Sequence, residues 1–317
     1  MSVASPVFIE LQRDDAAQAR AELVAGLQAA RAQVAPKYFY DTLGARLFEA
    51  ITELPEYTAT RDEAAIFARH GDAIAAACGT GLTLVDVGAG NCAKAAALFS
   101  RLRPQRYVAV DIAVEFLRSA LERLQRAHPG LPMLGIGADL TRTIEWPEAV
   151  GAGPRLLFYP GSSIGNFAPA QARALLQGWR AASDGGPLLI GVDLLKPRQR
   201  LEAAYDDAVG VTAAFNLNLL RHVNRCIGAD FDPRQWTHEA RFDAAASCVR
   251  MWLVARTALT VHWAGGERHF DAGERIHTED SYKFSPEGFG ALLAEAGYRD
   301  LRHWTDDARR FAVFVAR

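Results

Sequence analysis

The chain has 317 residues, 50% hydrophobic and 23% charged, the composition of an ordinary globular protein with room for one large or two moderate domains. Thirty-five Lys and Arg against 37 Asp and Glu leave a net charge of −2, so no basic field exists to hold a nucleic acid or an anionic membrane. No stretch approaches the roughly 18 apolar residues of a membrane span, and the opening Met-Ser-Val-Ala-Ser-Pro lacks the pattern of a secretory leader. The expectation is a cytoplasmic protein. Four scattered cysteines (Cys78, Cys92, Cys226 and Cys248) with no CxxC read as buried free thiols. None of the eight histidines falls in a ligand-gathering spacing, so no metal is expected. Nothing marks an interface, and monomer is the default expectation.

From Arg61 a helix runs to about Arg69, and the apolar run Leu82 to Val87, closed by glycines, reads as a buried strand. A glycine-rich turn and a helix (Ala93 to Leu102) follow. Then come strand Tyr107 to Asp111, helix Val114 to Ala127, and strands Met133 to Ile136 and Arg155 to Tyr159. Pro169 opens a helix to about Ala182, and Leu188 to Asp193 is a fifth apolar strand. Strands alternating with helices predict an α/β, doubly wound parallel sheet. After Leu195 the regularity stops: 200–225 reads as two helices rich in Asn, Asp and Tyr. Val249 to Arg256 alternates like a strand, and Leu259 to Trp263 with Gly265-Gly266 looks like a hairpin arm. A last helix (Pro286 to Ala296) and two strand-like runs (Leu301 to Trp304, Arg310 to Val315) close the chain.

An antiparallel pair at the edge of a five-stranded parallel sheet is how class I S-adenosylmethionine (SAM) methyltransferase sheets, which are Rossmann-like, close. Dinucleotide folds usually continue in parallel. The expected division is a discontinuous sheet domain, 62–195 with 285–317, and a second, α+β substrate-binding domain, 1–61 with 196–284, the ligand lying between them.

Gly88-Ala89-Gly90-Asn91-Cys92-Ala93 follows a strand and opens a helix, the context that makes such a loop a nucleoside cradle. Asp111, ending the next strand, can accept both ribose hydroxyls, and Asp139, ending the third, can accept from an adenine amine. The ligand is SAM or NAD. Asp86, before the first glycine, is read as a carboxylate at the mouth of the loop, tolerable near a sulfonium and unhelpful near a pyrophosphate. Gly161-Ser162-Ser163-Ile164-Gly165 matches the G-x-S-x-G elbow of α/β-hydrolases, but the helix is expected only at Pro169, whereas an elbow needs it directly after the serine. In a nucleotide-type sheet this loop lies where acceptor and transferred group meet, and Asn166 offers both a carbonyl and an amide.

Tyr38-Phe39-Tyr40-Asp41, Leu54-Pro55-Glu56-Tyr57 with Thr60-Arg61 and Glu63, Gly161 to Asn166, Tyr205-Asp206-Asp207, Gly210 to Asn216, Met251-Trp252-Leu253, and Thr278-Glu279 with Ser281 and Lys283-Phe284 resemble the histidine Nα-methyltransferases of ergothioneine biosynthesis. The similarity runs in order over nearly the whole chain. It implies SAM-dependent trimethylation of the α-amino group of histidine to hercynine, a small-molecule substrate. Carried over residue by residue, it implies a cofactor site of Gly88, Gly90, Lys94, Asp111 and Asp139, with Tyr57 near cofactor and substrate. The implied amino-acid site is Tyr40, Gly161, Asn166, Tyr205, Met251, Glu279 and Ser281. In the family Asn166 and Tyr205 correspond to a carboxylate clamp, and Glu279 and Ser281 to an imidazole grip. Two residues apart on an extended segment, that last pair points to one side. Tyr40 is assigned to orienting the amine, since a phenol with an ordinary pKa near ~10 is a poor base at neutral pH. The departures are Leu140 after Asp139, Pro160 before the glycine, and Ser163 in place of Thr. The readings against which this stands are an NAD-linked oxidoreductase, an esterase on the same sheet, a methyltransferase of another amino acid, and a non-catalytic SAM binder.

Overall fold

The computed structural model describes residues 6–11, 16–139 and 145–317. In chain order its principal elements are β1 (Val7–Glu10), α1 (Ala16–Gln28), α2 (Thr42–Thr52), α3 (Ala59–Cys78), β2 (Thr83–Val87), α4 (Ala93–Ala96), α5 (Phe99–Leu102), β3 (Arg106–Asp111), α6 (Val114–Ala127), β4 (Met133–Gly137) and β5 (Arg155–Tyr159). There follow α7 (Pro169–Ala182), β6 (Leu188–Asp193), α8 (Arg198–Tyr205), α9 (Val211–Ile227), β7 (Trp236–Asp243), β8 (Cys248–Ala255), β9 (Leu259–Trp263), β10 (Gly266–Phe270), β11 (Arg275–Tyr282), α10 (Pro286–Glu295), β12 (Arg302–Thr305) and β13 (Phe311–Ala316). They form two units: residues 6–11 with Ala59–Leu195 and Lys283–Arg317, and residues 16–58 with Lys196–Tyr282.

The first unit is a mixed α/β sheet in the order β1-β4-β3-β2-β5-β6-β13-β12. Strands β2 to β6 pair in parallel, while β13 runs antiparallel to β6 and β12 antiparallel to β13. This is the class I methyltransferase arrangement, with the hairpin at one edge. β2, β4 and β6 are buried along their whole length, as strands covered on both faces must be, which is why they read as largely apolar runs. Helix α3 turns Asp62, Glu63, Ile66, Phe67, Gly71, Ile74, Ala75 and Cys78 inward, a stripe of helical period in which two acids are included.

Two expectations need correcting here. The segment 93–102 is two short helices, α4 and α5, and not one, with the break at Ala97 and Leu98. The N-terminal segment expected in the second domain instead supplies β1, parallel to β4, with Phe8 opposite Gly135. A Cβ at Gly135 would stand 2.3 Å from the Phe8 ring, so the missing side chain makes room for the ring. Arg118 covers it from above at 4.3 Å.

The second unit packs α1, α2 and α9 with the antiparallel sheet β11-β8-β7 and the hairpin β9-β10 around its own core of Leu23, Leu27, Phe39, Phe215, Leu219, Trp236 and Phe270. Asp207 starts α9 by accepting the backbone N–H groups of Gly210, Val211 and Thr212 at 2.7–3.0 Å, satisfying donors that a helix start otherwise leaves unpaired. Strand β11 carries a bulge between His277 and Glu279, where Thr278 is the extra residue. Before it Ile276 is buried and His277 half-buried, and Thr278 itself is buried. After it the buried positions are Glu279 and Ser281, with Asp280 and Tyr282 on the other side. The inserted residue shifts the alternation by one, and that shift turns a carboxylate and a hydroxyl inward.

Candidate active site

In the sheet unit the strand order reverses between β2 and β5, the switch point where open α/β sheets take ligands at the carboxyl ends of their strands. The loop after β2 holds Gly88 and Gly90 at φ +73° and +53° and Cys92 at +64°. Gly88 and Ala89 donate their N–H groups to the Val110 carbonyl at 2.8 and 3.0 Å, fixing the turn on β3. A Cβ at Gly90 would meet no protein atom within 4 Å, so the backbone borders open space. Asp111, at the end of β3, accepts the N–H of Gly90 at 2.8 Å on one oxygen and that of Ala113 at 2.9 Å on the other. These N–H groups fix the carboxylate at the strand end, where it can still accept from a ribose hydroxyl. Burial pushes its pKa up, against the pull of these N–H groups. Asp139 is buried just beyond β4; Leu140 lies outside the described residues. The donor set, the open face above Gly90 and the acid at the strand end fit the nucleoside of SAM.

The loop after β5 carries Gly161 at φ +78° and Ser162 at +63°, then a tight turn, Ser163–Asn166, that contains Asn166. Ser162 Oγ accepts the Asp193 N–H at 2.8 Å, and the helix α7 waits until Pro169. Ser163, the middle residue of the G-x-S-x-G match, is exposed and does not head that helix, so the hydrolase elbow is absent. Across the crevice, Glu63 of α3 is 1% exposed and uses both oxygens. One accepts the Gly161 N–H at 2.9 Å and the other binds Lys94 Nζ of α4 at 2.6 Å. Space for this carboxylate comes from Gly191 of β6, where a Cβ would stand 2.1 Å from it. Gly161 is equally constrained, since its Cβ would lie 2.9 Å from Lys94 Nζ. Behind the loop, Lys283 Nζ meets Asp193 at 3.1 Å, both buried.

Asp86 departs from expectation. It is 1% exposed inside β2 and accepts the Tyr107 hydroxyl at 2.7 Å, so it is buried within the sheet and not open at the loop's mouth, because β2 is covered on both faces. Burial raises its pKa to about 7, a rise that the Tyr107 hydrogen bond limits.

In the second unit Tyr40, Phe48, Tyr57, Tyr205 and Phe215 meet edge-on or tilted with ring centroids 5.8–6.4 Å apart. Tyr205 Oη and Ser281 Oγ are 2.7 Å apart. Glu279 pairs in register with Met251 on the neighbouring strand, and both are buried. The structure thus gathers Tyr40, Tyr57, Tyr205, Met251, Glu279 and Ser281 in this unit, and Gly88, Gly90, Lys94, Asp111, Asp139, Gly161 and Asn166 in the sheet unit. Phe48 and Phe215 belong to the aromatic cluster without having been singled out. Glu63 was visible only as part of a motif, although its place on the inward stripe of α3 was a signal that it is buried. Among the described residues no three His, Cys, Asp or Glu side chains are grouped to hold a metal.

Two outcomes follow from this geometry. Glu63→Gln keeps an acceptor for Gly161 but turns an N–H donor toward the Lys94 ammonium. It should weaken SAM binding and lower unfolding stability by about 1–3 kcal/mol, read by calorimetric titration and urea unfolding; unchanged values of both would contradict the bridging role. Tyr107→Phe should cost more at pH 8 than at pH 5. With its folded pKa raised to about 7, Asp86 is neutral at the lower pH and ionised at the higher. The hydroxyl then serves a charged acceptor, worth ~1.5–3 kcal/mol against ~0.5–1.5 for a neutral one. Urea midpoints lowered equally at both pH values would argue against an ionising Asp86.

The chain is similar to known proteins over nearly its whole length. A family model described as "Histidine-specific methyltransferase, SAM-dependent" matches residues 19–317. The histidine N-alpha-methyltransferase of Mycolicibacterium smegmatis is 41% identical over 314 residues, covering 96% of this chain and 97% of the relative. Its namesake from Mycobacterium tuberculosis is 39% identical over 306 residues, 94% of each. Ergothioneine biosynthesis protein 1 of Neurospora crassa is 29% identical over 283 residues, 84% of this chain and 31% of that longer protein. With a family model spanning nearly its whole length and a glycine loop, strand-end acid and sheet order suited to a SAM nucleoside, the chain belongs to the SAM-dependent, histidine-specific methyltransferases.

Proposed function

We propose that the chain transfers methyl groups from SAM to the α-amino group of L-histidine, three in succession, and yields hercynine, a step of ergothioneine biosynthesis. The observation that carries the choice of amino acid is the pair Glu279 and Ser281, turned to one buried side of β11 by the bulge at Thr278. A carboxylate accepts from one imidazole nitrogen and a hydroxyl serves the other, whichever tautomer is present. A purely apolar side chain would offer these two polar groups no hydrogen bond in return for the water it displaces, at a cost of several-fold to many-fold in affinity.

SAM supplies a methyl group on a cationic sulfonium, open to in-line displacement by an amine lone pair. The protein's work is to hold and aim. Asp111 accepts from the ribose hydroxyls, Asp139 accepts from the adenine amine, and the Gly88 to Gly90 backbone allows close approach, with Lys94 held beside it by Glu63. Asn166 and Tyr205 clamp the substrate carboxylate, Gly161 and Met251 line the amino-acid site, and Tyr40 orients the amine, directly or through water, and helps its proton leave. As methyls accumulate, the nitrogen becomes a bulky cation, which the faces of Tyr40 and Tyr57 suit. A quaternary nitrogen has no lone pair, so the sequence ends after three transfers.

Incubation with SAM and each of the twenty amino acids, read by mass spectrometry, should give a three-methyl gain on histidine alone; gain on another amino acid, or none, would sink the reading. Glu279→Ala should raise the histidine KM by about tenfold or more while leaving the SAM dissociation constant within about twofold. An unchanged histidine KM would remove Glu279 from the imidazole grip.

A further inference from the structure

Tyr205 is the last residue of α8, and its carbonyl is one that the helix cannot pair for itself. That carbonyl lies 2.7 Å from His238 Nε2, on β7. A carbonyl only accepts, so Nε2 carries the proton and Nδ1 a lone pair. Nδ1 in turn lies 2.8 Å from Asn216 Nδ2, which also donates to the Trp252 carbonyl at 3.1 Å. Asn216 is fully buried and His238 nearly so. Burial holds the His238 pKa below its ordinary value, against the pull of the Tyr205 carbonyl and of the Asp206, Asp207 and Glu239 carboxylates. Charging the ring would also set two donors, Nδ1–H and Asn216 Nδ2–H, against each other. From the other end of Tyr205, Oη meets Ser281 Oγ at 2.7 Å. One tyrosine is thus fixed at its backbone by a tautomer-locked imidazole and touches, through its phenol, a hydroxyl of the β11 pair.

We propose that His238, locked by Asn216, is a positioning residue for histidine binding: by capping the Tyr205 carbonyl it sets where the Tyr205 phenol stands relative to Ser281. The inference rests on the amino-acid site proposed above. It concerns a residue that does not touch substrate and acts through another.

Two substitutions separate this role from packing. Gln carries its amide nitrogen at about the reach of imidazole Nε2, whereas Asn carries its amide at about the reach of Nδ1. His238→Gln therefore keeps a donor for the Tyr205 carbonyl, and His238→Asn keeps only the end that faces Asn216. In the full-length protein, His238→Asn should raise the histidine KM on the order of tenfold, the equivalent of one lost hydrogen bond, with kcat and the SAM KM within about twofold of wild type. His238→Gln should restore the histidine KM to within about twofold. Equal effects of the two variants, or a loss carried by kcat or by SAM, would overturn the proposal. A second readout needs no substrate: amide hydrogen exchange over 202–207 should speed up in His238→Asn and stay near wild type in His238→Gln, and the absence of that split would also overturn it. Wild-type turnover of histidine tests the functional reading separately, so failure of the one is distinguishable from failure of the other.

Discussion

A carboxylate taken out of water is costly unless it is paired, and in the sheet unit Glu63 is paired on both oxygens by the two loops that flank the switch point. Removing its partners would leave an uncompensated buried charge, a loss of several kcal/mol. The position of Gly161 and the position of Lys94 are therefore not independent: each is set by the same side chain. Their surroundings are shaped to that end. Gly191 lacks a Cβ where the carboxylate passes, and Gly161 lacks one where the ammonium comes. The loop behind Gly161 is then closed by Ser162 on Asp193 and by Asp193 on Lys283.

The second unit pairs several of its buried polar groups by other means. A neutral imidazole and an asparagine pair with each other and with backbone carbonyls, and Asp207 takes three N–H groups at the start of α9. On β11 the means is geometric. The bulge puts Glu279 and Ser281 on the buried side, while Asp280, on the other side, pairs with His277 at 2.9 Å and Arg250 at 3.3 Å. The strand is thus held from its outer face by charge, and its inner face is left to polar groups that can be used on a substrate.

Much of the sheet was legible because strands buried on both faces are mostly apolar, as the runs at Leu82 to Val87 and Leu188 to Asp193 are but for Thr83, Asp86 and Asp193. The antiparallel closing pair was legible for the same reason at Arg310 to Val315. β1 was not, since four residues carry no period and its place depends on a glycine one strand away. The bulge was hidden because Thr278 reads as one more alternating residue; only the pairing of β11 with β8 reveals the extra count. Of the site, the glycine loop, Asp111 and the motif residues stood out by pattern. Glu63 and Asn216 entered only as members of motifs, with no role attached, and His238 not at all, because a Glu or Asn on a helix or a lone His on a strand is ordinary and only burial turns it into a constraint. Asp86 was placed at the loop for the converse reason: its nearness in sequence to the glycines suggested an open position, whereas β2, covered on both faces, buries every one of its residues.

The account's central claim is that the substrate's ring is read by two polar side chains which a strand bulge turns inward. The most direct measurement is a crystal structure with L-histidine and the demethylated cofactor product. The account predicts one imidazole nitrogen within hydrogen-bond distance of the Glu279 carboxylate and the other within reach of Ser281 Oγ, with Thr278 still the unpaired residue of the bulge. An imidazole bound elsewhere, with Glu279 and Ser281 contacting only protein or solvent, would contradict it.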